Sequence, residues 1–136
     1  MATGAAEPKA MPQGEPGSQD PLIGDLRKAG LLPLLVLHFA ARGRCWGSML
    51  MERIARLTDG ALAVNPNTMY PLLKTLEAKG LISGEWENPD RRSRRFYAIT
   101  PAGRAELERL GHELAPRLER IQRSIQAIRD ELSPGA

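Results

Sequence analysis

Between Leu31 and Ala41 the chain reads LLPLLVLHFAA, apolar on nearly every face of the helix it would make. A surface helix carries a single apolar stripe, so this one must be covered on more than one side. It is too short to cross a bilayer, which takes about 20 apolar residues. The rest of a 136-residue chain, one domain by length, must wrap around it. In so small a domain, part of that cover is expected from a second copy. The spacing predicts a helix over Gly30–Arg42, with Pro33 in the first turn, where a missing N–H costs little. His38, alone in this run, is expected as a satisfied core residue.

The other elements follow from periodicity and punctuation. Met49, Leu50, Ile54 and Leu57 predict a helix over Trp46–Leu57, stopped by Thr58-Asp59-Gly60. Ala61 to Val64 reads as a short extended segment. Met69, Leu72, Leu73 and Leu76 share one face of the next helix, while Asn67, Pro71, Lys74 and Ala78 share the other, with Tyr70 on its flank. Either Thr68 caps this helix, or Asn65 caps it and Pro66 leads; both keep Pro71 near its start. Gly80 ends it. Two short strands, Leu81–Glu87 and Arg94–Ile99, flank the turn Asn88–Ser93. In them Ile82 shares a face with Trp86, and Tyr97 with Ile99. Thr100-Pro101 then opens a long helix. Its Leu114, Leu118, Ile121, Ile125, Ile128 and Leu132 are spaced alternately four and three apart, an a/d seam. Little of the chain is left to cover it, so a two-fold homodimer is expected, with Leu34 and Leu35 joining the seam in the interface.

The fold class is therefore mainly α: a winged helix-turn-helix domain with a long C-terminal dimerisation helix. Residues 1–21, rich in Pro, Gly and Ala, read as a disordered arm; residues 22–103 form the winged domain and 104–133 the dimerisation helix.

Charge points to the partner. Between residues 42 and 104 there are 11 Lys and Arg against 6 Asp and Glu, whereas both flanks are slightly acidic. Arg91, Arg92, Arg94 and Arg95 crowd one hairpin and repel one another unless phosphates lie opposite. The third helix is a slim rod that fits the major groove, about 12 Å wide. Double-stranded DNA is thus the expected partner. Asn67 and Thr68 stand where the helix starts and can donate to a phosphate or base edge. Tyr70 offers a phenol to a phosphate, or packs on the wing. Lys74, one turn on, reaches phosphate or guanine, and Trp86 packs at the wing root. The alternative is a dimeric interaction module whose basic wing binds an acidic protein.

Other functions find no support. His38 and His112 are isolated, Ser48 has no base in pattern, and no glycine-rich phosphate loop follows a strand. Neither an enzyme, a metal site nor a cofactor is expected. Cys45 is the single cysteine and reads as a buried, inert thiol in a reducing cytoplasm. No apolar run at the N-terminus suggests a signal peptide, and no membrane association is expected.

The pieces WGSMLMERI, NPNTMYPLLKTLEAKGLI and RRFYAITPAGR resemble the PadR family of bacterial transcriptional regulators. The resemblance covers Trp46 to Leu107, close to half the chain. It implies a dimeric repressor of the subgroup with a single short C-terminal helix, paired through its first and last helices on a pseudo-palindromic operator. Some members of that subgroup bind a small hydrophobic or aromatic effector at the dimer centre beside a Trp of the last helix. No Trp follows Trp86 here, and Pro89-Asp90 stand where the family often has a wing-tip Gly.

Overall fold

In a computed structural model, residues 21–90 and 93–135 are described. Five helices and one hairpin follow in order: α1 (Pro21–Lys28), α2 (Leu31–Arg42), α3 (Gly47–Leu57), α4 (Pro66–Ala78), β1 (Ile82–Trp86), β2 (Arg95–Ile99) and α5 (Pro101–Leu132). The expected arm over residues 1–21 and the wing residues Arg91 and Arg92 lie outside the described residues, Pro21 excepted.

The apolar helix α2 is the hub, touching α1, α3, β2 and α5. Val36 and Leu37 are fully buried; Leu31, Leu32 and Ala40 complete that face. Its other side is only partly covered by this chain: Leu34, Leu35 and Phe39 are half-buried. His38 corrects the expectation. It is exposed, on the stripe it shares with Leu34 one turn earlier, and is not a core residue. Helix α1 had no forecast. Its signal was Leu22, Ile23 and Leu26 at one-sided spacing, and Leu26 enters the core.

Thr58 locks the turn between α3 and α4. Its hydroxyl donates to the Ile54 carbonyl at 2.9 Å and accepts from the Leu62 N–H at 3.0 Å. That capture accompanies a bend at Ala61 and Leu62, and no strand forms over Ala61–Val64. Leu62 and Val64 nevertheless point into the core. The third strand position of the wing falls to Cys45, which exchanges both backbone hydrogen bonds with Tyr97, at 3.0 and 2.8 Å.

The hairpin is antiparallel, with Ile82 opposite Ile99, Gly84 opposite Tyr97 and Trp86 opposite Arg95. At its tip the Asn88 side chain accepts from the Asp90 N–H, and the Ser93 hydroxyl accepts from the Asn88 N–H. The start of α5 explains why Thr-Pro-Ala-Gly stands there. Thr100 caps the helix by accepting from the Gly103 N–H and donates to the Gly80 carbonyl at 2.6 Å. Pro101 occupies the first helical position. Gly103 lies flat on the Leu81 carbonyl, where any Cβ would collide. A boundary at 103/104 thus falls inside the first turn of α5. Half of α5 belongs to the domain core: Leu110 and Leu114 are buried and Leu107 packs against them.

The seam consequently divides. Leu114 is 1% exposed within a single chain, so its side chain is already committed to the chain's own core. Ile121 is half-buried, whereas Leu118, Ile125, Ile128 and Leu132 are open, rising to 75% at Leu132. Among the described residues no helix is long and apolar enough to cross a membrane.

Candidate nucleic-acid interface

Asn65 caps α4, its side chain accepting from the Thr68 N–H at 3.1 Å, and Pro66 takes the first helical position. This settles the choice of cap and puts Pro71 on the sixth helical residue. There its ring removes the N–H that would have bonded the Asn67 carbonyl. The buried face of α4 carries Met69, Leu73 and Leu76. The opposite face presents Asn67, Tyr70, Pro71, Lys74 and Ala78 to solvent. Thr68 is half-buried on the side of the first turn.

Tyr70 is 48% exposed, yet its position is defined. Its ring lies directly over Gly47 at the start of α3, so close that a Cβ on Gly47 would overlap it. Tyr70 therefore packs on the start of α3, a surface neither expected alternative named, and stays half-exposed. Tyr70 and Gly47 border a cleft of about 360 Å³ between the starts of α3 and α4 and the hairpin. Trp46, Ser48, Trp86, Ser93, Arg94, Arg95 and Tyr97 complete it. The chain has only six Trp, Tyr and Phe residues, and four of them line this cleft. Of these four, Tyr97 also belongs to the buried core, while Trp46, Tyr70 and Trp86 keep part of their surface open.

The arginines of the hairpin are not equivalent. Arg94 is exposed and its guanidinium lies 5.0 Å over the Trp46 ring, which holds it at the wing edge. Arg95 corrects the expectation of a solvent-facing phosphate ligand. It is half-buried, donates to Glu77 of α4 at 2.6 Å and to the Gly84 carbonyl at 3.2 Å, and lies over Trp86. The Glu77 hydrogen bond raises the Arg95 pKa above its ordinary value. Trp86 departs from the expected wing-root packing: it pairs with Arg95 at the turn end of the hairpin, lies under that guanidinium and is 41% exposed.

Arg44 escaped the sequence reading. It lies 4.1 Å over Phe96, which meets Trp46 edge-on, so Arg44, Phe96, Trp46 and Arg94 form one ladder of alternating cations and rings. Only the tertiary pairing of Cys45 with Tyr97 brings residues 44 and 96 together; nothing in their sequence spacing could have revealed it.

Cys45 is buried as expected, its thiol pushed up to about 11 by desolvation, with Arg53 opposing. Among the described residues no group of three or more His, Cys, Asp or Glu is placed to hold a metal.

The same architecture recurs in solved structures. A transcriptional regulator from Clostridium thermocellum superposes with a TM-score of 0.62 at 22% identity, covering 73% of this chain and 96% of that one; this likeness shows the fold. A PadR family transcriptional regulator from Eggerthella lenta gives 0.59 at 27% identity, covering 76% and 88%. A transcriptional regulator of Mycobacterium tuberculosis is 43% identical over 74 residues, 54% of this chain and 66% of the relative, just under two thirds of its length. Residues 36–109, from α2 into α5, match the Transcriptional regulator PadR-like family. That span is more than half of the sequence and takes in the helix-turn-helix, the wing and the Thr-Pro-Ala-Gly start of α5: the chain belongs to the PadR-like family of transcriptional regulators.

Proposed function

We propose that this regulator is a sequence-specific DNA-binding repressor, acting as a homodimer on a pseudo-palindromic operator in a bacterial cytoplasm. The observation that carries the reading is the outward face of α4. Asn67, Pro71 and Lys74 are exposed together with half-exposed Tyr70, whose ring packs on Gly47, beside a wing edge bearing Arg94. A helix of this form enters a major groove while the wing follows the flanking backbone. Arg91 and Arg92 belong to the same proposal as wing-tip phosphate ligands. The open part of the seam, Leu118, Ile125, Ile128 and Leu132, favours pairing through α5, and half-buried Leu34 and Leu35 extend that surface along α2. A small hydrophobic or aromatic effector would act at this apolar dimer surface.

Selection of bound duplexes from a fragmented bacterial genome tests the reading. Enriched duplexes should contain inverted half-sites whose centres lie about one helical turn, roughly 34–36 Å, or a multiple of it apart. A dimer that enriches no duplex at low salt would overturn it and favour an acidic protein partner for the basic wing.

A further inference from the structure

The contact between Arg95 and Glu77 joins two elements that must meet DNA together. Glu77 lies in the last turn of α4, and Arg95 opens β2 eighteen positions later. Several positions are shaped around this one guanidinium. Gly84 has no Cβ, and one placed there would sit 2.8 Å from the Arg95 Nε. The Gly84 carbonyl accepts a second hydrogen bond, the Trp86 ring lies 5.0 Å beneath and the Tyr97 ring 5.9 Å away. Both partners are half-buried, with side-chain exposures of 26% and 31%, whereas the Arg56–Glu52 pair of α3 and the Arg109–Glu113 pair of α5 are open. A surface arginine meant for phosphate needs none of this; a rivet between helix and wing needs all of it.

We propose that Glu77 and Arg95 are positioning residues that set the wing against the recognition helix, and so govern duplex affinity without touching DNA. The inference rests on the DNA-binding reading above. Its sign is diagnostic. A bystander carboxylate near a polyanion only repels it, so Glu77→Gln would then tighten binding. As a positioning residue Glu77 acts the other way, because its loss lets the wing drift from the groove that α4 reads.

The test uses the full chain and a duplex recovered by selection. Glu77→Gln and Arg95→Gln should each weaken binding, roughly fivefold, and the double variant should be no weaker than either, since coupled partners are not additive. The dependence of log affinity on log salt should keep its wild-type slope in Arg95→Gln, because no phosphate contact is lost. Tighter binding by Glu77→Gln, additive losses, or a shallower slope in Arg95→Gln would each overturn the proposal. If either variant unfolds, Arg95→Lys carries the same comparison, since it keeps the charge but cannot hold Glu77 and Gly84 with one planar fork. A readout without DNA separates the two claims. In a Trp46→Phe background, Glu77→Gln should shift the emission of Trp86, whose ring Arg95 covers. An unchanged spectrum sinks the rivet. A shifted spectrum in a protein that binds no duplex keeps the rivet and sinks the DNA reading.

Discussion

Gly47 and Gly103 both sit where a methyl group would strike a neighbour, yet they should answer differently to alanine. At Gly103 the obstacle is the Leu81 carbonyl, backbone that anchors the hairpin and cannot swing aside. The helix-propensity gain of alanine, about 1 kcal/mol, should be outweighed by overpacking. Gly103→Ala is expected to lose about 1–3 kcal/mol in urea unfolding; an unchanged midpoint would mean that α5 can lift off Leu81. At Gly47 the obstacle is the ring of Tyr70, half in water and free to rotate outward. Gly47→Ala should therefore keep its stability while moving Tyr70. Cys45 offers a third check. Its folded pKa lies above the ordinary value of 9.0, so its contribution is complete below pH 9. That contribution is lost as pH rises toward about 11, because the unfolded thiol ionises first. Two pH units correspond to about 3 kcal/mol at most. Cys45→Ala should remove this part of the alkaline decline in unfolding free energy; an identical decline in both proteins would show that the thiol is not desolvated.

Among the elements, α4 and α5 each carry a proline inside the helix, at Pro71 and Pro116. Pro71 faces solvent and costs α4 one backbone hydrogen bond, so Pro71→Ala should stabilise the fold by about 1–2 kcal/mol, read as a raised denaturation midpoint. A destabilised variant would mean that the rigid ring shapes the first turns. The open end of α5 makes a separate claim. Ile125 and Ile128 are exposed in the single chain, so charging them cannot disturb its core. Ile125→Glu with Ile128→Glu should yield a folded monomer by sedimentation; a persisting dimer would place the interface elsewhere. Most of these elements were legible because their signals are local. The α4 face, the Gly80 stop, the Thr100 cap and the hairpin turn each need only a few neighbouring residues. Helix α1 and the bend at Ala61 and Leu62 were missed because packing and one threonine hydroxyl, not periodicity, decide them.

For the whole molecule, the proposed two-fold homodimer would double each contact. If both subunits of a homodimer engage DNA, Lys74→Ala removes two phosphate contacts, and the log–log salt slope should fall by about 1.8 units. A fall of about 0.9 would mean that one subunit binds at a time. The sequence alone determined the order of α2 to α5 with the hairpin between α4 and α5, the polar face of α4 and the existence of an apolar seam, since each depends on spacing along one element. Tertiary structure decided which of those residues are free. It drew Leu114 into the chain's own core and left Ile125 and Ile128 outside it. It paired Arg95 with Glu77 while Arg94 stayed at the edge, and set Arg44 on Phe96. The reason is physical: an arginine or a leucine has the same sequence signature whether it meets solvent, its own domain or a partner, and only proximity in the folded chain separates these fates.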